Sequence, residues 1–140
     1  MRKLGIDYGD ARVGVAITDP LNITVQGLET IQRKGSDKVV LRRLDEILSE
    51  YEIDTIVVGM PLNLKGEKTV RAEVTEQFIH KLKCKYNKLQ IVTVDERLTT
   101  VAAHKTMNFL DVNKNKKRDI VDTISAVYIL ETYINKSCNS

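Results

Sequence analysis

Apolar and polar positions along the chain fall into three kinds of spacing. Short apolar runs over 2–8 and 12–18, joined by Gly9-Asp10-Ala11, predict an antiparallel hairpin. From Ile23 to Ile31 apolar and polar residues alternate for most of the length, as a half-buried strand does. Lys34-Gly35-Ser36 breaks that alternation and leaves Ser36 as a helix N-cap. Val40, Leu44, Ile47, Leu48 and Tyr51 then recur at helical spacing, which predicts an amphipathic helix over 37–51. Residues 53–59 are β-branched and nearly all apolar, the composition of a strand buried on both faces, and they stop at Gly59-Met60-Pro61.

A polar loop from Asn63 to Lys68 follows. Val70, Val74, Phe78 and Leu82 restore helical spacing over 69–85, and Leu89 to Val94 read as a fifth strand. Thr99 or Thr100 caps a further helix carrying Val101, Ala102 and Met107. A basic loop, Asn113 to Arg118, leads to a last helix from about Asp119 to Ile134, with 135–140 expected to fray. The order β-β-β-α-β-α-β-α-α describes an α/β protein. Three leading strands form a meander, and later helices cross over beside parallel strands in a mixed five-stranded sheet.

Length and composition narrow the class. A chain of 140 residues fits one domain, 1–140, and buries about two-thirds of its unfolded surface. With 42% hydrophobic and 29% charged residues, the composition is that of a globular protein. No apolar run nears the roughly 18 residues of a membrane span. Asp7 follows Lys3 after only Leu4-Gly5-Ile6, too soon for a signal-peptide core, so a cytoplasmic protein without membrane contact is expected. Cys84 and Cys138 have no CxxC spacing and no clustered histidines beside them, which disfavours zinc and suits two reduced thiols. No motif links His80 or His104 to Cys84 or to a serine.

Three carboxylates stand where the pattern predicts burial. Asp7 ends the first strand, Glu96 follows the fifth, and Asp122 opens the last helix with Ser125, Ala126 and Ile129 on its small, apolar side. An ionised carboxylate costs several kcal/mol to desolvate unless it is paired or bound to a metal. Each also has a purely structural use. Asp7 can open a turn at Gly9, Glu96 can pair with Arg97, and Asp122 can favour a helix N-terminus. Brought together, the three would repel one another unless a cation intervened, and oxygen-only ligands favour Mg²⁺ or Mn²⁺. Such ions suit phosphate substrates.

The net charge of +3 is too small to decide a partner, but its placement is informative. Lys114, Lys116, Lys117 and Arg118 put four positive charges into five residues just before Asp122, and Arg12, Lys65, Arg71 and Arg97 add candidate phosphate contacts. A solvated charged loop is the plain alternative for the run. No interleaved aromatics mark a base-stacking platform, so backbone and shape contacts are expected.

Gly5-Ile6-Asp7-Tyr8-Gly9-Asp10-Ala11-Arg12-Val13-Gly14-Val15-Ala16 resembles the opening motif of the YqgF (RuvX) family, RNase H-like proteins described as Holliday junction resolvases. Val57 to Asn63, Asp95-Glu96-Arg97-Leu98-Thr99-Thr100, and Val121 to Leu130 agree with it in order and spacing. The opening motif alone is shared with sugar kinases and actin-like ATPases. The Asp-Glu-Arg-Leu-Thr-Thr block with the last helix is far more specific. The resemblance implies an RNase H-like sheet with its first three strands antiparallel and its last two parallel. It places the family's acidic triad on Asp7, Glu96 and Asp122. Ala102 stands where many members carry Glu, and Asp119 aligns with no family carboxylate.

The expected activity is a Mg²⁺- or Mn²⁺-dependent nuclease in which an activated water attacks a phosphodiester in line. What the resemblance implies for substrate is precursor 16S ribosomal RNA near its 5′ end, with branched DNA as the second choice and ribosomal particles as partners. A monomer or weak homodimer is expected; junction resolution would call for the dimer. Two other classes stay open. One is a catalytically weak ribosome-assembly factor that binds nucleic acid. The other is an actin-like phosphotransferase, for which 140 residues supply only one of two lobes.

Overall fold

A computed structural model describes residues 1–61, 65, 69–95 and 114–138, with the side chains of 123–135 in the last stretch. Strands β1 (Arg2–Tyr8), β2 (Arg12–Thr18) and β3 (Val25–Gln32) precede helix α1 (Asp37–Glu50). Strand β4 (Ile53–Met60), helix α2 (Val70–Lys85), strand β5 (Gln90–Asp95) and helix α3 (Lys114–Cys138) follow. The sheet order is β3-β2-β1-β4-β5. The β1–β2 and β2–β3 pairs are antiparallel, and the β1–β4 and β4–β5 pairs are parallel. This is the mixed five-stranded sheet that the strand pattern predicts.

Strand alternation sorts side chains onto two faces. Leu4, Ile6, Tyr8, Val13, Val15 and Ile17 pack with Val40, Leu44 and Ile47 of α1 and with Phe78 and Leu82 of α2. Each such fully buried aliphatic side chain contributes about 1.5–3 kcal/mol. The opposite face carries Ala16 and Val57 against Ala126, Ile129 and Leu130 of α3. The predicted cap forms at Ser36, whose Oγ accepts from Lys38 N at 3.1 Å. Thr69 Oγ1, not singled out in the sequence, caps α2 by accepting from Ala72 N at 3.3 Å, and Thr99 and Thr100 lie outside the described residues.

Two boundaries differ from the sequence reading. The third strand begins at Val25, because Asp19 Oδ1 captures the amides of Ile23 (2.7 Å) and Thr24 (3.0 Å) in a turn that leaves Ile23 exposed. A bulge then sets Val15 opposite Glu29 but Ala16 opposite Gly27, so Leu28 is the extra residue and the alternation slips. The larger correction concerns α3. Its helix starts at Lys114, so most of the segment read as a basic loop is helical, and it continues through 135–138, where fraying was expected. Lys and Arg are good helix formers even without an apolar stripe to mark them. Among the described residues no helix is long and apolar enough to cross a membrane.

Candidate functional site

β1, β4 and β5 all point their carboxyl ends toward one edge of the sheet. Asp7 lies at that edge, in the middle strand, and is 9% exposed. Ile6 pairs with Val58, Gly59 with Val94 and Met60 with Asp95, so the row beside Asp7 runs through Gly59 to Val94. Two residues before Asp7, Gly5 touches α3, so strand alternation directs Asp7 to the α3 face as well. Across the hairpin Asp7 is opposite Gly14, and Arg12, two residues away on the same face of β2, is half-buried.

α3 reaches this edge by close approach over small residues. A Cβ built on Gly5 would come within 2.9 Å of the Ala126 carbonyl oxygen and of Leu130 Cβ, and one on Gly27 would collide with Thr123 Cγ2. Thr123 Oγ1 also lies 3.0 Å from Thr30 Oγ1 on β3. Asp122 is one turn before Ala126, and its i+3, i+4 and i+7 neighbours Ser125, Ala126 and Ile129 are all buried. That side of the helix therefore faces inward, as the sequence predicts. The start of α3 at Lys114 puts Asp122 in the third turn, beyond the reach of the helix N-terminal dipole. Its structural use as an end-of-helix charge is thereby removed.

The remaining predicted residues divide as follows. Lys65 is exposed, and Arg71 is exposed in the first turn of α2, upstream of Phe78. Glu96, Arg97 and the expected helix through Ala102 lie outside the described residues, as do the side chains of Asp122, Lys114, Lys116, Lys117, Arg118 and Cys138. Among the described residues no three His, Cys, Asp or Glu side chains gather as a metal site, and of the acidic trio only Asp7 has its side chain there. Cys84 Sγ does meet a histidine, His80 Nε2 at 3.5 Å, on the exposed side of α2. That pair was not expected from the motifs.

A second set of charges, absent from the sequence reading, surrounds the Asp7 hairpin. Asp37, the first residue of α1, accepts at Oδ1 from the Tyr8 hydroxyl (2.6 Å) and Arg33 Nε (3.2 Å), and at Oδ2 from Lys81 Nζ (2.9 Å). Tyr8 stacks on Phe78 with ring centres 4.2 Å apart, and Arg33 Cζ lies 4.8 Å from the centre of the Tyr8 ring. Burial and the adjacent Asp37 carboxylate push the Tyr8 hydroxyl pKa well above its ordinary value. Burial acts to raise the Asp37 pKa, but the Tyr8 hydroxyl, Lys81 and Arg33 outweigh it and hold that carboxyl below the usual range. The signals in the sequence were Ser36-Asp37 at a helix start and Arg33 four residues before Asp37; Tyr8 and Lys81 are long-range partners.

A family model described as RuvX, Holliday junction resolvase, matches residues 1–136. The chain belongs to the RuvX family. A RuvX relative from Ruminiclostridium cellulolyticum is 52% identical over 136 residues, covering 97% of this chain and 95% of the relative. One from Acetivibrio thermocellus is 47% identical over 135 residues, covering 96% of each. Both bear the name "Putative pre-16S rRNA nuclease". Among solved structures, Thermus thermophilus RuvC in complex with a Holliday junction substrate superposes with a TM-score of 0.60. The identity is 11%, with 98% of this chain and 96% of that one covered. The RuvX chain thus has the RNase H-like architecture that its motifs imply.

Proposed function

We propose that this chain is a divalent-metal-dependent phosphodiesterase that trims precursor 16S ribosomal RNA, with Asp7, Glu96 and Asp122 as its acidic residues. The observation that carries the reading is the burial of Asp7 at the carboxyl edge of β1, on the face that α3 covers. β5 and α3 bring the sequence neighbours of two more carboxylates to the same face. An all-oxygen donor set suits Mg²⁺ or Mn²⁺. Such an ion, when bound, neutralises charge on the scissile phosphate and acidifies a water. Asp7, Glu96 and Asp122 would hold it, while Arg12 and the basic turns of α3 hold the sugar–phosphate strand. The names borne by the relatives support the RNA substrate.

A second reading, cleavage of four-way DNA junctions, is favoured by the description of the family model. Incubating the purified protein with precursor 16S RNA and with a four-way junction, in Mn²⁺ and in chelator, separates the two. Cleavage of the RNA in Mn²⁺ that disappears in Asp7→Asn, while RNA binding persists, is the expected result. Junction cleavage alone reassigns the substrate. If neither is cut and Asp7→Asn still complements a deletion strain, the protein is an assembly factor instead.

A further inference from the structure

We propose that Arg33, held in place by Asp37, is a positioning residue for Asp7; this rests on the reading of Asp7 as a metal-binding carboxylate. The β1–β2 turn begins two residues after Asp7, and Arg33 spans it. Its Nη1 donates to the Asp10 carbonyl at 2.6 Å and reaches the Gly9 carbonyl at 3.4 Å, while its backbone amide donates to the Ala11 carbonyl at 2.9 Å. One side chain and its own amide thus fix three successive carbonyls. The other side of the guanidinium fork contacts Asp37 Oδ1, with Nε at 3.2 Å and Nη2 at 3.1 Å.

Asp37 closes the loop by accepting from Tyr8, the residue next to Asp7. Tyr8 projects to the face opposite Asp7, so locking its ring between Phe78, Arg33 and Asp37 restrains the backbone from which the Asp7 carboxylate departs. Lys81, from a third element, fixes the second Asp37 oxygen. The Arg33 and Asp37 side chains are only 16% and 10% exposed, so the pair is largely withdrawn from water and its geometry is retained. A metal-binding carboxylate must be held to about 0.5 Å to be useful, and these contacts restrain both Tyr8 and the turn that follow Asp7. Arg serves here better than Lys, because its planar fork reaches carbonyls and carboxylate together.

The test compares Arg33→Ala, Arg33→Lys and Tyr8→Phe with Arg43→Ala, which removes the Glu29 and Glu46 ion pairs outside this network. Mn²⁺ affinity is read by calorimetry on the protein free of nucleic acid, and kcat and KM on precursor RNA. For Arg33→Ala we expect Mn²⁺ affinity and kcat each to fall about 10–100-fold. KM should stay within about twofold, and the Gly9 and Arg33 amides should exchange faster. Arg33→Lys and Tyr8→Phe should lie between wild type and that variant, and Arg43→Ala should match wild type. Wild-type Mn²⁺ affinity in folded Arg33→Ala, or in both milder variants if it does not fold, overturns the inference alone. Wild type that binds no Mn²⁺, or Asp7→Asn that binds it equally, overturns the reading of Asp7 and the inference with it.

Discussion

Gly5 of β1 and Ala126 of α3 are in backbone-level contact: a methyl group on the glycine would stand 2.9 Å from the Ala126 carbonyl oxygen. The pair sets how closely the helix carrying Asp122 approaches the strand carrying Asp7. Gly5→Ala is expected to force α3 outward, at about 1–3 kcal/mol by urea denaturation. Cleavage should fall by more than the lost folded fraction explains, since the two carboxylates proposed to share one ion would move apart.

Three carboxylates gathered as proposed would repel one another without a counterion, so Asp122→Asn should leave the metal-free melting temperature unchanged or raise it. The same variant should lose the rise in Tm that Mn²⁺ gives wild type. Scanning calorimetry with Mn²⁺ and with chelator checks both. A marked loss of stability in chelator would assign Asp122 a structural task.

Asp37 should leave a signature in acid. Its folded pKa is lower than the ordinary carboxylate value, so the unfolded chain binds the proton more readily. The stabilisation from this group is therefore complete above about pH 3.9 and is lost as pH falls through the lower folded pKa. Asp37→Asn should be less stable than wild type at pH 7 by about 1.5–3 kcal/mol. The gap should narrow toward pH 2. Urea titrations at stepped pH measure it.

The basic turns of α3 make a prediction about salt. Replacing Lys116, Lys117 and Arg118 with alanine should weaken binding similarly across RNA sequences. The slope of log affinity against log salt should become shallower by up to about 2.7 if all three neutralise phosphates of a duplex. Arg118 lies four residues before Asp122 on a continuous helix, so Arg118→Ala should also lower kcat, whereas Lys116→Ala should not. Unchanged affinity in the triple variant would place these turns outside the footprint.

Much of the fold was legible because its strands are apolar runs and its helices are amphipathic; Ile53 to Gly59 could be little else. Ser36 announced its helix by cap chemistry. The start of α3 was not legible, since Lys114 to Arg118 bears no apolar residue from which to read a period. Asp7 was visible as a charge at the end of a buried strand. Arg33 was not, because its partners Asp10 and Gly9 are more than twenty residues away in the chain and no local spacing encodes that meeting.

The seating of α3 has a mechanical corollary. The helix rests chiefly on β2, β1 and β3, through Gly5, Gly27 and the Thr30–Thr123 hydroxyl pair, and only lightly on β5. Asp7 on β1 and the backbone of Asp122 on α3 are therefore joined by direct packing, while β5 lies at the far border of the sheet, two strands from β1. A distortion entering at the β5 border would have to cross β4 before it reached the α3–β1 seat.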